Sequence, residues 1–233
     1  MKDEIKQIFT KYNIEYDENK IEQLVKFYEF VIEKNKVMNL TNIVNEKEFI
    51  LKNILDSVLP EKYIKQNSSL IDVGAGAGFP SVPLKILRPD LNITMLDSLN
   101  KRVVFLNEVI SVLNLKNIQA VHSRAEDYAK NQRESYDVCV SRAVARLNTL
   151  LEYCLPLVKV GGIFIAYKSL KADEEIIESE KALDILGGNI ENKQNVTIDE
   201  INSIRENIII RKKNTTPKKY PRNKNLPKIK PIC

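Results

Sequence analysis

Histidine, tryptophan and cysteine are scarce in this chain of 233 residues, which has one histidine, no tryptophan and three cysteines. Because His122 is the only imidazole, a metal site built from several histidines is excluded. Cys139, Cys154 and Cys233 are too widely spaced to match a zinc-binding pattern or a disulfide framework. We therefore expect a protein with reduced thiols and no bound metal.

Long apolar runs are also missing. The sequence has no stretch of about 18 apolar residues, which is the length that a membrane-spanning helix needs. Its first residues, MKDEIKQIF, lack the apolar segment of a signal peptide. The composition, with 43% hydrophobic and 29% charged residues, is typical of a globular protein. These features predict a cytoplasmic, soluble protein without a membrane partner.

The sequence pattern divides the chain into three regions. Residues 1–62 carry apolar side chains at intervals of three and four, which predicts helices that form a cap on the main domain. Residues 63–213 alternate short apolar runs with helical periodicity, whereas residues 214–233 form a basic, proline-rich tail. The periodicity does not distinguish a static cap from a lid that helps to form a substrate cleft.

The middle region contains five apolar runs that alternate with helical segments. A further helix is predicted over 171–186, and two more strands over 194–198 and 206–211. Alternating strands and helices predict an α/β fold with a parallel sheet and right-handed crossovers. The last two strands lack a long helix between them, which favours an antiparallel hairpin at the sheet edge. Ligands bind such sheets at the carboxyl ends of the strands.

Three of the seven glycines lie in one loop within 69–88, which reads SLIDVGAGAGFPSVPLKILR. The pattern predicts a buried strand, a loop containing Gly74, Gly76 and Gly78, and the start of a helix. Glycine permits positive φ and lets a ligand contact the backbone. The G-x-G-x-G spacing is neither the G-x-G-x-x-G fingerprint of dinucleotide sites nor a P-loop. The loop is therefore either a cofactor site or a tight turn of an ordinary α/β domain.

An acidic residue follows the next predicted strand. Asp97 stands at the end of the apolar run 92–96, in the place where Rossmann-like proteins bind ribose hydroxyls with a carboxylate. The alternative is that Asp97 only caps the helix that begins near residue 99. Its position relative to the glycine loop favours the ribose role.

Positive charge is concentrated at the end of the chain. Residues 211–233 include nine Lys or Arg and no acidic residue, although the net charge of the whole chain is only +5. A basic, proline-rich tail is typical of a loose arm that contacts a polyanion such as RNA. Tyr220 and Arg222 are candidates for stacking on bases. The alternative is a tail that only increases solubility.

Motifs along the whole chain resemble the bacterial small-subunit rRNA guanine-N7 methyltransferases once called glucose-inhibited division protein B. The matching stretches are Asn39-Leu40-Thr41, Ile54-Leu55-Asp56-Ser57, DVGAGAGFP at 72–80, LDSLNKRVVFL at 96–106, SRAE at 123–126, SRAVA at 141–145 and YPR at 220–222. The resemblance implies a Rossmann-like class I fold that binds S-adenosyl-L-methionine (SAM), with a mostly parallel seven-stranded sheet, helices on both faces and an N-terminal helical extension.

The resemblance also implies the reaction and its partners. The expected reaction is methylation of N7 of a guanine in the 530 loop of 16S rRNA. The expected partner is 16S rRNA, either naked or in the 30S ribosomal particle, and the enzyme is expected to be a monomer. Because N7 carries an in-plane lone pair and no proton at neutral pH, the reaction needs no general base. Positioning and exclusion of water are then the expected sources of catalysis.

Site residues follow from the loop and from the resemblance together. Those expected to contact SAM are Gly74, Gly76, Gly78, Phe79, Asp97, Ala125, Glu126 and Arg142. Arg142 is also expected beside the target base as the catalytic residue, the alternative being an ion pair with Asp72, Asp97 or Glu126. Those expected to contact RNA are Asn39, Lys101, Arg102, Lys168, Tyr220 and Arg222. Solvated surface charge is the alternative for Lys101, Arg102 and Lys168.

Two positions depart from the family pattern. Lys52-Asn53 occupies the place of an Arg-His pair, and Asn223-Lys224-Asn225 occupies the place of a glycine. Other function classes also remain open: a methyltransferase for another RNA or for a small molecule, a nicotinamide-dependent oxidoreductase, and a non-catalytic RNA-binding protein. The basic tail argues against a small-molecule substrate, and the glycine spacing argues against a nicotinamide cofactor.

Overall fold

A computed structural model describes residues 1–168 and 172–233. Its first part is helical: α1 (Lys2–Lys11), α2 (Glu18–Met38), α3 (Glu46–Phe49), a π-helical segment (Ile50–Leu55) and α4 (Asp56–Val58). Asp17 is the N-cap of α2, and its side chain accepts a hydrogen bond from the backbone N–H of Lys20.

The rest of the chain forms the sheet and the helices around it. The strands are β1 (Ser69–Val73), β2 (Asn92–Asp97), β3 (Ile118–His122), β4 (Tyr136–Arg142), β5 (Val158–Lys168), β6 (Gly188–Ile198) and β7 (Ser203–Lys212). The helices are α5 (Ser81–Leu87), α6 (Asn100–Val112), α7 (Ala125–Asn131), α8 (Leu147–Cys154), α9 (Ala172–Glu178), α10 (Glu180–Leu186) and α11 (Leu226–Ile229). Residue 171, the first of the helix predicted over 171–186, lies outside the described residues.

The sheet has the order β3-β2-β1-β4-β5-β7-β6. Strands β1 to β5 pair in parallel, and β7 pairs antiparallel with both β5 and β6. The predicted α/β class and the antiparallel hairpin at the edge are therefore confirmed. The strand order changes direction at β1, which pairs with β2 on one side and with β4 on the other. The carboxyl ends of β1, β2 and β4 lie together at this switch point, where ligands bind in open α/β sheets.

Strands β5, β6 and β7 are longer than the sequence predicts. The pair Gly161-Gly162 reads as a turn, but both glycines lie inside β5, where the register with β4 shifts between Tyr136 and Val138. This irregularity lets β5 continue past glycines that lack a side chain to pack. Strand β6 starts at Gly188 because it pairs with β7 along its whole length.

The helices of residues 1–62 share a hydrophobic core with the sheet. Phe27 of α2 and Phe49 of α3 are both fully buried, and their ring centroids lie 5.2 Å and 5.4 Å from that of Phe79 in the glycine loop. Since Phe79 follows the loop directly, these contacts place the helical cap over the carboxyl ends of the strands. A second core cluster, which includes α8 and α10, fills the other face.

The basic tail is packed against the protein, so the prediction of a loose arm is wrong. Tyr220 is only 8% exposed. The guanidinium of Arg222 donates two hydrogen bonds to Glu152 Oε2, at 2.6 Å from Nη2 and 3.1 Å from Nε, and the Glu152 side chain is fully buried. A buried carboxylate is costly unless a cation pairs with it, which explains why this segment is held in place.

None of the described helices is long and apolar enough to cross a membrane. Within residues 1–168 and 172–233, no group of three or more His, Cys, Asp or Glu side chains is arranged to hold a metal ion.

Candidate cofactor and RNA site

The loop between β1 and α5 presents bare backbone at the carboxyl edge of the sheet. Gly74 has a φ of +82°, and a Cβ at this position would collide with the side chain of Val144. Gly76 has a φ of +58°, and the atom nearest to an added Cβ would be 3.9 Å away. Both conformations favour glycine, and at Gly76 the space beside the backbone is open.

Gly78 packs against α5 and the helical cap. A Cβ at Gly78 would lie 2.7 Å from Val82 Cγ2 and 3.5 Å from Phe27 Cζ. The residue therefore lets α5 and the cap pack closely behind the loop, and it does not line the cavities in front of it. Sequence spacing alone gives no means of separating this packing glycine from the other two.

Asp97 binds the glycine loop to the end of β2. Its Oδ2 accepts a hydrogen bond of 2.9 Å from the N–H of Gly76, and its Oδ1 accepts one of 2.9 Å from the N–H of Leu99. Arg102 Nη1 lies 3.4 Å from Oδ2. An ionised carboxylate offers about four acceptor positions, so Asp97 keeps capacity for further donors such as ribose hydroxyls. Helix α6 begins at Asn100 and uses Leu99 as its N-cap, so Asp97 does not cap it directly.

Asp72 is fully buried behind the loop. Its Oδ2 accepts a hydrogen bond of 2.7 Å from Ser81 Oγ, whereas its Oδ1 has no partner among the described residues. Burial raises the pKa of Asp72 to about 7, against the opposing effects of the Ser81 hydrogen bond and the Arg142 charge. Asp72 therefore supports the loop from below rather than contacting a ligand.

Two adjoining cavities lie in front of the glycine loop. The glycine-loop cavity, of about 370 Å³, is lined by residues that include Gly74, Gly76, Phe79, Asp97 and Arg142. The α7 cavity, of about 240 Å³, is lined by residues that include Ala125, Glu126, Tyr153, Asn225 and Lys228. The two cavities share Gly74, Ser98 and Val144 in their walls. Seven of the eight predicted SAM-contacting residues thus line these two adjoining cavities, which together are called the crevice below.

A third cavity opens between the helical cap and the sheet. This cap cavity, of about 740 Å³, is lined by Thr41, Asn42, Ile43, Lys52, Asn53, Asp56, Arg142, Ala143, Tyr167, Lys168, Glu175 and Arg205. It shares Thr41, Asn53, Arg142 and Ala143 with the glycine-loop cavity. Arg142 therefore stands at the junction between the crevice and the larger opening beneath the cap.

Arg142 joins the end of β4 to the cap. Its Nη1 donates hydrogen bonds to the Lys52 carbonyl at 2.8 Å and to Asp56 Oδ2 at 3.1 Å, and its Nη2 donates one to Asn53 Oδ1 at 3.1 Å. Its guanidinium carbon lies 5.1 Å from the Phe79 ring centroid. Its ion pair forms with Asp56, and not with Asp72, Asp97 or Glu126.

The Lys52-Asn53 departure lies in the π-helical segment, a type of irregularity that is frequent at functional sites. Asn53 is 2% exposed, and its amide oxygen faces Arg142, which leaves its Nδ2 without a partner among the described residues. Burial raises the pKa of Asp56, whereas the positive charges of Arg142 and Arg205 act to lower it. Sequence reasoning missed the role of Asp56, although a lone acid in the apolar run 54–59 was the available signal.

The predicted RNA contacts are only partly brought together. Arg102 lines the glycine-loop cavity, whereas Asn39 and Lys101 are exposed outside all three cavities. Lys168 is not a free phosphate ligand as predicted, because its Nζ lies 2.7 Å from Glu175 Oε2 and donates a hydrogen bond to the Ala145 carbonyl at 2.8 Å. Tyr220 and Arg222 are likewise occupied by packing and by Glu152.

The tail contributes to the crevice through residues that were not predicted. Asn225 and Lys228 line the α7 cavity, and Asn225 Oδ1 lies 3.4 Å from the hydroxyl oxygen of Tyr153. Lys224 and Asn225 have φ angles of +56° and +62°. Positive φ is the conformation that glycine adopts most readily, and asparagine tolerates it better than most residues. The absence of glycine in this segment is thus compatible with its backbone.

Solved structures with the same architecture place the fold in a class. A putative transferase from Pyrococcus horikoshii matches with a TM-score of 0.56 at 18% identity, covering 68% of this chain and 62% of the other. M. jannaschii TYW2 in complex with AdoMet matches with a TM-score of 0.56 at 14% identity, covering 73% and 79%. The mostly parallel seven-stranded sheet and its glycine loop define a Rossmann-like α/β fold.

The family is shown by sequence. The family model described as rRNA small subunit methyltransferase G matches residues 20–204. Proteins named ribosomal RNA small subunit methyltransferase G are 47% identical in Staphylococcus aureus, covering 95% of this chain and 94% of the relative, and 45% identical in Lactobacillus acidophilus, covering 96% and 95%. The chain belongs to the rRNA small subunit methyltransferase G family.

Proposed function

We propose that this protein transfers a methyl group from SAM to N7 of a guanine in the 530 loop of 16S rRNA. The observation that carries the proposal is the junction at Arg142, a residue that lines both the glycine-loop cavity, with Asp97, and the cap cavity. One side of this junction suits a nucleoside cofactor and the other is large enough for a base. Family membership supports the choice of rRNA as the acceptor.

The residues in the crevice fit SAM. Gly76 offers backbone beside open space, and Asp97 retains acceptor positions for ribose hydroxyls. At Gly74 the side chain of Val144 lies against the backbone, so it has to move aside for a ligand to contact this residue. Ala125 and Glu126 line the adjoining α7 cavity and are the candidates for contact with the adenine. Phe79 and Arg142 line the end nearest to the cap. When bound, SAM supplies an electrophilic methyl group on a sulfonium centre.

The protein's own contribution is positioning. Arg142 is fixed by hydrogen bonds to Lys52 and Asn53 and by its ion pair with Asp56, so its guanidinium cannot turn freely. It is therefore suited to holding the guanine ring at the junction. Because N7 bears no proton, no side chain in the site has to remove one. The rate enhancement then comes from holding the reacting atoms together in a site that excludes water.

We propose a separate role for each of the three regions. The helical cap of residues 1–62 covers the target base, and residues 63–213 bind SAM. Residues 214–233 close the α7 cavity. We propose that the protein acts in the cytoplasm as a monomer. The acceptor is 16S rRNA, either naked or in the 30S particle.

The experiment that tests this proposal is methyl transfer in vitro. Purified protein is incubated with radiolabelled SAM and with naked 16S rRNA or 30S subunits from cells that lack the gene. Nucleoside analysis is expected to find 7-methylguanosine, and fragment mapping is expected to place it in the 530 loop. Label in another nucleoside or in another rRNA segment would overturn the proposal.

A further inference from the structure

The cap cavity has a positively charged lining. Its charged residues are four bases, Lys52, Arg142, Lys168 and Arg205, and two acids, Asp56 and Glu175. Three of the bases have close partners: Lys52 Nζ lies 2.7 Å from Glu48 Oε1, Lys168 Nζ lies 2.7 Å from Glu175 Oε2, and Arg142 Nη1 lies 3.1 Å from Asp56 Oδ2. Arg205, the fourth base, lies further from its nearest acidic atom than the other three do.

Arg205 has hydrogen-bond donors that nothing in the described chain uses. Its side chain is only 17% exposed, and its nearest acidic atom, Asp56 Oδ1, lies 3.8 Å from Nε, which is too far for a hydrogen bond. Its Nε is buried and has no partner among the described residues. An arginine has five N–H donors, and leaving them unpaired in a largely buried place is unfavourable. The side chain is therefore suited to an anionic ligand in the cavity.

The topology places Arg205 at the edge where the reaction is expected. Because β7 runs antiparallel to β5, its first residues lie beside the carboxyl ends of the parallel strands, with Glu206 opposite Lys168. Arg205 and Arg142 both line the cap cavity, and Asp56 lies between them, paired with Arg142 and 3.8 Å from Arg205. An anion held by Arg205 would thus lie in the same cavity as the residue proposed to hold the target base.

We propose that the cap cavity receives the flipped-out target nucleotide and that Arg205 binds an RNA backbone phosphate adjacent to the target base. This inference rests on the proposed function. The cavity volume of about 740 Å³ falls within the usual range for ligand pockets. Enzymes that modify a base commonly bind it extruded from its stack, and a guanidinium fork matches a phosphate in bidentate geometry. Arg205 is thus a substrate-positioning residue.

Arg205→Gln and Arg205→Lys test the phosphate contact, with Arg211→Gln as the matched control. Arg211 lies on the same strand at the opposite end, where it pairs with Glu191. The measurements are filter binding to a 16S rRNA fragment that contains the 530 loop, methyl-transfer kinetics over a range of KCl concentrations, and SAM binding by calorimetry. Filter binding makes the test independent of turnover.

We expect Arg205→Gln to raise the Kd and the KM for RNA about tenfold and to reduce the slope of log Kd against log salt by about one. Its Kd for SAM and its melting temperature are expected to match those of Arg211→Gln. Arg205→Lys keeps the charge and should restore the salt slope, but only part of the affinity, because an ammonium lacks the planar fork.

Unchanged RNA affinity and salt dependence in Arg205→Gln would overturn the phosphate assignment. Weaker SAM binding with unchanged RNA affinity would overturn it too, because the guanidinium would then serve the cofactor carboxylate. If the wild-type protein binds the RNA but transfers no methyl group, the proposed function fails, while the comparison of Arg205→Gln with Arg211→Gln still decides the phosphate contact.

Discussion

Arg142 at the end of β4 and Asp56 in the cap form an ion pair with an Nη1–Oδ2 distance of 3.1 Å. The side chains are 18% and 6% exposed, so the pair is largely removed from water. It links the two parts of the chain that the reaction requires, because the glycine loop lies on one side and the cap cavity on the other. This ion pair therefore adds to the Phe27 and Phe49 contacts with Phe79 in joining the cap to the site.

Breaking this pair is expected to destabilise the protein. Arg142→Ala leaves the Asp56 carboxylate buried without its main partner, which costs about 3 kcal/mol of unfolding free energy. This cost is at the lower end of the range for a broken buried ion pair, because the charge of Arg205, 3.8 Å from Asp56, still partly compensates the carboxylate. The variant is also expected to lose most of its methyl-transfer rate. Urea unfolding and single-turnover kinetics measure the two effects.

Arg146→Ala is the control. Arg146 lies four residues after Arg142 in the sequence and forms an exposed ion pair with Glu178. Its expected cost is much smaller, because an exposed ion pair contributes little to stability. Equal losses of stability in the two variants would show that burial of the Arg142 pair has no special importance.

The glycine loop is tested by adding a side chain where the structure leaves space for a ligand. Gly76→Asp places a carboxylate in the glycine-loop cavity close to Asp97, so we expect SAM affinity to fall by at least tenfold in calorimetry. Gly161→Asp is the matched control because Gly161 also has positive φ, +86°, and nothing lies within 4 Å of an added Cβ. Equal SAM affinity in both variants would contradict the assignment of the loop.

The tail is tested at Arg222. Arg222→Ala leaves Glu152 fully buried without a cation, which is expected to cost about 3 kcal/mol of unfolding free energy. SAM affinity is also expected to weaken, because Asn225 and Lys228 line the α7 cavity. Lys218→Ala, at an exposed position of the same tail, is expected to change neither quantity. A purely solubilising tail would give the same urea midpoint in both variants.

Asp72 predicts a pH dependence of stability. Burial raises its pKa in the folded protein from 3.8 to about 7. Between these values the folded state holds a proton that the unfolded chain releases, so the unfolding free energy falls as pH rises. Asp72→Asn removes this effect. The unfolding free energy of the variant minus that of wild type is expected to rise by more than about 1 kcal/mol from pH 4.5 to pH 8, as measured by urea titrations.

Asp90→Asn should show the opposite trend. The Arg88 guanidinium holds the pKa of Asp90 at about 2, so the stability that Asp90 contributes is present above pH 3.8 and is lost on acidification. This variant is expected to lose stability at pH 8 and to approach wild type at low pH. Parallel pH profiles for wild type and Asp72→Asn would contradict the protonation assigned to the buried carboxyl.

Local patterns in the sequence were sufficient for the fold and for one side of the site. The strand, loop and helix around Gly74 and the acid at Asp97 are neighbours in one βαβ unit, so spacing alone predicts their positions. Pairings between distant segments could not be predicted in the same way. Arg142 and Asp56 are 86 residues apart, and nothing in the local pattern around either one indicates its partner.

Charge patterns were the least reliable guide. A run of basic residues reads as a solvated or RNA-binding arm, yet Arg222 in that run is held by Glu152. Lys168, a separate basic residue that was expected to contact RNA, is held by Glu175. Both acids lie in helices, α8 and α9, and nothing in the sequence around them indicates that their carboxylates need a partner. Arg205 gives no signal of its own either, because it is a single basic residue that directly precedes the strand predicted over 206–211.

The most direct test of the central claim is a crystal structure of the protein with S-adenosylhomocysteine. The account predicts that the ribose hydroxyls bind the carboxylate of Asp97, that the adenine lies in the α7 cavity, and that the amino-acid end lies along Gly74 and Gly76. An adenosine bound elsewhere, with Val144 still covering Gly74, would contradict it.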